Sequence, residues 1–201
     1  IELYSSVLRD NPEHINTRQS ADALLKKLVK VEGDEAREQR RELCILLEDH
    51  YASAKMLPEL IDVLRIKLSD TEDEFEKVEL NTRVANLLKN ELNDRAGAFD
   101  ALEAALEVDI SNSELRKSYE SLGEQLSELP RVISLYRRCL PEVEDSMLQM
   151  ALHKRMAKIF EEKINDTGEA ISSYREIIKI KSVTRDPILP RFLLRYVHLT
   201  N

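Results

Sequence analysis

Apolar residues recur along most of this chain at steps of three and four. Leu60, Ile61, Leu64 and Leu68 make one such stripe, Leu80, Val84, Leu87 and Leu88 a second, and Ile171, Tyr174, Ile177 and Ile178 a third. That spacing gathers them on one side of an α-helix. The stripes predict helices at about 34–53, 56–69, 73–92 and 95–108, and again at about 112–127, 129–140, 144–164 and 167–180. Start signals agree. Thr71-x-x-Glu74, Ser111-x-x-Glu114 and Asp166-x-x-Glu169 read as capping boxes, in which a short side chain accepts from an otherwise unpaired amide of the first turn. Pro58 and Pro130 fall in a first helical turn, where a missing N–H costs nothing.

The two sets of four helices share a ruler. NDRAGAFDAL at Asn93–Leu102 returns as NDTGEAISSY at Asn165–Tyr174, 72 residues later. With residues 119–180 laid on 47–108 without a gap, 14 of 62 positions are identical, among them Glu48, Pro58, Arg83, Ala85, Asn93, Asp94 and Ala98. Many of the other pairs exchange one apolar residue for another, such as Val84 with Met156 and Leu88 with Phe160. A duplicated unit must keep its helix and turn lengths to keep its packing, so the absence of gaps is informative.

Half of 72 is a helix pair of 36 residues. In 80–106 the pairs carry Val84, Ala85 and Leu88, then Ala98, Leu102 and Ala105-Leu106; in 152–178 they carry Met156, Ala157 and Phe160, then Ala170, Tyr174 and Ile177-Ile178. Residues 43–68 offer Leu47, Tyr51, Leu60, Leu64 and Leu68, and 119–140 offer Tyr119, Val132, Tyr136 and Leu140. This pattern resembles the tetratricopeptide repeat (TPR), with departures. There is no Trp, Glu48 and Glu120 stand where a small residue is usual, and KNELND and EEKIND each put one extra residue in a turn. The resemblance implies an all-α fold, an α-solenoid of antiparallel helix pairs wound as a right-handed superhelix, and a fragment of a longer bacterial array. Ala85, Ala98 and Ala157 would sit where two helices come closest.

On this reading residues 1–12, with Tyr4, Leu8 and Asn11-Pro12, are the tail of a preceding repeat. Blocks 34–108 and 109–181 each hold four helices, and 186–201 is a terminal helix without its partner. Residues 13–33 fit less well, because one further helix there would flip the alternation. Two short helices forming a truncated repeat is the expectation, and one long helix is the alternative. The uncovered apolar ends, Ile1, Leu3, Tyr4, Val7 and Leu8 at one side and Phe192, Leu193, Tyr196, Val197 and Leu199 at the other, predict self-association through a terminus or a tail folded against its own last repeat.

Composition narrows the function more than the fold. With 30 Lys+Arg against 38 Asp+Glu the net charge is −8, which disfavours nucleic acid as a partner, since phosphate binding needs a basic face. No run of 18 apolar residues occurs, so no membrane insertion is expected. Four glycines leave no phosphate loop, and no zinc, EF-hand or nucleophile-elbow motif is present, so neither an enzyme nor a cofactor is expected. Cys44 and Cys139 lie in apolar helical patterns and read as buried, reduced thiols, which favours a cytoplasmic location.

The resemblance places a groove along the first helix of each pair, where Thr82, Asn86, Lys117, Ser121, Lys154 and Lys158 would line it and grow more basic toward the C-terminal end. His153-Lys154-Arg155-x-x-Lys158 reads equally as a solvated face balanced by Glu161 and Glu162. The Lys/Asn clamp by which some members of the family hold acidic tails is incomplete, because Asn86 is present but Thr82 replaces its Lys. The function expected is a non-enzymatic scaffold for a peptide or protein segment. The alternative is an arm of a larger enzyme or of a motility or secretion machine, acting by end-to-end stacking.

Overall fold

The computed structural model describes residues 1–11 and 14–184. Ten α-helices run through them: α1 (Glu2–Asp10), α2 (Ile15–Leu28), α3 (Asp34–Ser53), α4 (Leu57–Asp70), α5 (Glu74–Asn90), α6 (Arg95–Val108), α7 (Ser113–Gln125), α8 (Leu129–Cys139), α9 (Ser146–Ile159) and α10 (Thr167–Thr184). A 3₁₀ turn, Leu140–Glu142, follows α8, and a π turn, Phe160–Ile164, follows α9. No strand occurs among the described residues, so the fold class is all-α.

The starts of α8, α9 and α10 each fall 72 residues after those of α4, α5 and α6. The turns agree in detail. Among the described residues four non-glycine positions have positive φ: Lys55 (55°) and Ser127 (63°), Asn93 (53°) and Asn165 (61°), two pairs separated by the same 72. In the first pair of turns the amide after the left-handed residue donates to the helix just ended, Met56 N to Tyr51 O at 2.9 Å and Glu128 N to Gly123 O at 2.7 Å. In the second pair Asp94 N donates to Leu88 O at 2.8 Å and Asp166 N to Phe160 O at 2.9 Å, each spanning six residues. Such a wide closure absorbs the additional residue of KNELND and EEKIND. One copy takes it up as the π turn, the other through Leu92 N donating five residues back to Leu87 O at 3.2 Å. The aspartate beside each asparagine then caps the next helix, Asp94 accepting from Gly97 N and Asp166 from Glu169 N.

Two caps differ from expectation. Asp73, not Thr71, caps α5 through Glu76 N at 3.0 Å, while Thr71 donates its hydroxyl to the Glu76 carboxylate. Asn112, not Ser111, accepts from Glu114 N and Leu115 N at the start of α7. In both places a longer Asx side chain stands closer to the helix than the hydroxyl residue does, and it reaches the first-turn amides first.

The chain divides into two compact units, Ile1–Ser118 and the part from Tyr119 onward, with the division inside α7. In the first unit each helix from α1 to α5 packs on the next in sequence, ending with α5 on α6. Leu25, Leu43, Leu47, Leu64, Phe99 and Leu106 are its largest fully buried side chains. Arg40 ties three helices of this unit together. It forms a two-pronged pair with Asp70 on α4 (2.7 and 2.6 Å) and donates to the carbonyls of Leu28, the last residue of α2, and of Val31 just beyond it (2.9 Å each).

In the second unit α9 packs on α8 and α10. Met150, Ala157, Tyr174 and Ile177 form a shared core there, with Ile178 and Ile180 against it. Ala85, Ala98, Ala157 and Ala170 are all buried at their helix contacts.

Three expectations are corrected or lie out of reach. Within residues 14–33 there is one helix, α2, not two short ones, and it packs on both α1 and α3, so α1 has a partner within the chain. Cys44 is buried, but Cys139, last residue of α8, is only half-buried, because the chain turns outward there into Leu140–Glu142. The terminal helix at 186–201 lies outside the described residues.

Candidate interaction surface

The face of α5 that turns away from α6 follows from its sequence. Leu80, Val84, Ala85 and Leu88 are buried, which leaves Phe75, Val78, Thr82, Asn86 and Asn90 along the opposite side. These residues, with Glu79, Arg83, Leu87 and Glu91, line an open groove of about 520 Å³. Phe75 is 80% exposed, an unusual position for an aromatic ring. Thr82 and Asn86 therefore come together on one surface. Thr82 donates its hydroxyl back to Val78 O at 2.7 Å, while Asn86 is exposed.

The other four candidate residues are placed as follows. Lys117, in the first unit, pairs with Glu114 on its own helix at 2.7 Å. Ser121, in the second, accepts from Gln125 at 3.2 Å. Lys154 and Lys158 are exposed one turn apart on α9, beside exposed Met147. Arg155 of that basic run pairs with Glu120 on α7, rather than with Glu161 or Glu162.

Sequence reasoning passed over the polar groups that hold these faces in position. Glu48 of α3 accepts from Lys67 of α4 at 2.7 Å and from Arg83 of α5. Glu120 of α7 accepts from Tyr136 of α8 at 2.6 Å and from Arg155 of α9. Glu48 and Glu120 are 72 apart, as are Arg83 and Arg155. The two glutamates are thus the acidic half of an ion pair that recurs 72 residues on, from α3 to α5 and again from α7 to α9. The signal was present in the identity count, where both the acid and the base recur. Burial works to raise the Glu48 carboxyl, but the hydrogen bonds and charges of Lys67 and Arg83 outweigh it and hold it below the usual carboxylate range. Arg155 is held charged by its hydrogen bond to Glu120.

Two further groups are set by burial. The Cys44 thiol is pushed up to about 12, chiefly by desolvation and then by Asp70, so it is a poor nucleophile. His153 sits between α9 and α10 with a buried Nδ1 that has no hydrogen-bond partner, and burial lowers its pKa although Glu176 acts to raise it. Among the described residues no group of three His, Cys, Asp or Glu is placed to hold a metal ion. None of their helices is long and apolar enough to cross a membrane. No protein-family model and no curated protein matches this sequence.

Proposed function

We propose that this chain is a non-enzymatic scaffold, a TPR-like solenoid of helix pairs whose first helices, α5 and α9 among them, present a surface to a peptide or protein segment. The observation that carries the reading is a recurrence of exposed apolar side chains at one helical position. Leu3, Phe75 and Met147 are each the second residue of their helix, spaced by 72, and are 72%, 80% and 68% exposed. Five residues on, Leu8, Leu80 and Leu152 are all buried. An inward position is kept for packing, and that is expected of any repeat. An outward position kept apolar at a cost in solubility is expected of a surface that is covered in use.

The surfaces beside those anchors differ. Thr82 and Asn86 on α5 correspond to Lys154 and Lys158 on α9, so the two copies would discriminate between partner segments of different charge. The test is a quantitative pull-down with the intact parent protein. Partners should be lost from F75S/N86E and M147S/K154E variants and kept by variants altered on the outer faces of α6 and α10. Partners insensitive to both face variants but lost when α1 is deleted would favour the end-to-end assembly arm instead.

A further inference from the structure

A wide concavity of the first unit lies between α1 and α3, away from the α5 groove. It has a volume of about 740 Å³ and is lined by Ile1, Glu2, Ser5, Ser6 and Leu8 of the α1 side and by Glu42, Ile45, Leu46, Asp49, His50 and Ser53 of α3. The α3 positions recur at three and four, a single face of that helix. They run from Glu42 to Ser53, roughly 16 Å at about 1.5 Å per residue, or about three helical turns.

The chemistry is layered. Leu8 is buried, Leu46 is half-buried, and Ile45 is 53% exposed, so the floor is apolar and part of it is open to water. Around that floor stand three exposed carboxylates, Glu2, Glu42 and Asp49. Among the described residues none of the three makes an ion pair, although this chain pairs its carboxylates readily elsewhere. No Lys or Arg among the described residues lines the groove. His50 does not supply the missing charge, since burial and the neighbouring Arg18 both lower its pKa.

We propose that the α1–α3 groove is a docking site for a basic amphipathic helix of about three turns, whose apolar stripe covers Ile45 and Leu46 and whose flanking Lys or Arg residues pair with Glu2, Glu42 and Asp49. The assignment follows from charge complementarity. A segment with acidic flanks would bring like charges together, and an uncharged one would leave three carboxylates losing water without compensation. A helix fits the groove's length and its helical spacing of contacts. The inference rests on the scaffold reading in requiring a protein partner, but it concerns a different surface from α5 and α9.

The probe is a 14-residue peptide, fixed as a helix, with Leu at i, i+3, i+4 and i+7 and Lys on both flanks, alongside a twin carrying Glu in place of Lys. Fluorescence anisotropy against the whole chain should show the Lys peptide binding at least tenfold more tightly than the Glu twin. E42K/D49K should remove that binding, and Ile45→Ser should weaken it about tenfold. E144K/E162K, which makes the same change in net charge at exposed positions away from the groove, should leave it unchanged. Equal weakening by E42K/D49K and E144K/E162K would reduce the effect to overall charge and overturn the proposal, as would preference for the Glu twin or no binding of either peptide. In those cases partner loss from the α5 and α9 variants would still stand or fall independently. Circular dichroism of each variant confirms that a loss of binding is not a loss of fold.

Discussion

At the scale of single residues the repeated acid–base pairs matter most, and they are not equal. Glu48 has two cationic partners, Lys67 and Arg83, whereas Glu120 has Arg155 and the Tyr136 hydroxyl. Removing Arg83 leaves the first carboxylate still paired. Removing Arg155 leaves a carboxylate whose side chain is 9% exposed with a neutral donor alone. Arg155→Ala should therefore destabilise the second unit by about 2 kcal/mol, below the usual cost of breaking a buried pair because Arg155 itself is half in water. Arg83→Ala should cost under about 1 kcal/mol in urea titrations. Equal costs would mean that Lys67 contributes nothing to holding Glu48.

The same groups set the response to acid. A carboxyl whose folded pKa is depressed adds stability above its unfolded value, and that stability is lost as pH falls through the folded value. The Glu48 contribution thus disappears on going from about pH 5 downward, starting near the ordinary carboxylate pKa of about 4.3. His153 has the same sign. Its folded pKa lies below the ordinary value of about 6.5, so its protonation favours the unfolded chain and stability falls as pH drops from near 7. Urea midpoints measured between pH 7 and 5 should fall less steeply for His153→Leu than for the parent chain. Parallel slopes would show that the orphaned imidazole is solvated in solution.

At the scale of elements the turns offer the cleanest test. Left-handed backbone costs an L-residue about 1 kcal/mol, and Asn tolerates it better than Lys or Ser. Lys55→Gly and Ser127→Gly should each stabilise by about 0.5–1 kcal/mol, and Asn93→Gly and Asn165→Gly by less. Ala98→Asp and Ala170→Asp act in the opposite direction. Both alanines are wholly buried, and an unpaired carboxylate in either place should cost several kcal/mol, on the order of the unit's own stability, read as loss of the thermal transition.

Helix starts at Leu129 and Thr167 were legible in the sequence within a residue, because apolar spacing and Pro or Asp signals coincide there. The number of helices at 13–33 was not. Asn16, Thr17, Gln19 and Ser20 dilute the stripe, and α2 is held as one helix by contacts outside it, the packing of Ala21 and Leu25 and the Arg40 bond to its Leu28 carbonyl. The grouping of Thr82 with Asn86 followed from helical spacing, whereas Phe75 at its rim did not, since an aromatic in an apolar pattern is ordinarily taken inward. The Arg155 pair was not legible within its own helix, since Glu120 lies 35 residues away on another one.

At the scale of the whole molecule each unit carries its own reporter. Cys44 belongs to the first and Cys139 to the second. In the native protein a thiol reagent should modify Cys139 first and Cys44 only at the rate at which the first unit opens, as a buried thiol pushed up to about 12 requires. Mass spectrometry of timed samples separates the two. Prompt labelling of Cys44 would show that the contacts of α3 with α4 open readily.

The paired acids and bases also bear on synthesis. Glu48 waits for Arg83, and Glu120 for Arg155, each 35 residues behind it on the ribosome. At 5–20 residues per second the complement emerges within about two to seven seconds. Glu120 is thus left without its base for one helix pair's worth of translation and no longer, whereas Glu48 meets Lys67 after 19 residues, so the growing chain can close behind itself as it is made.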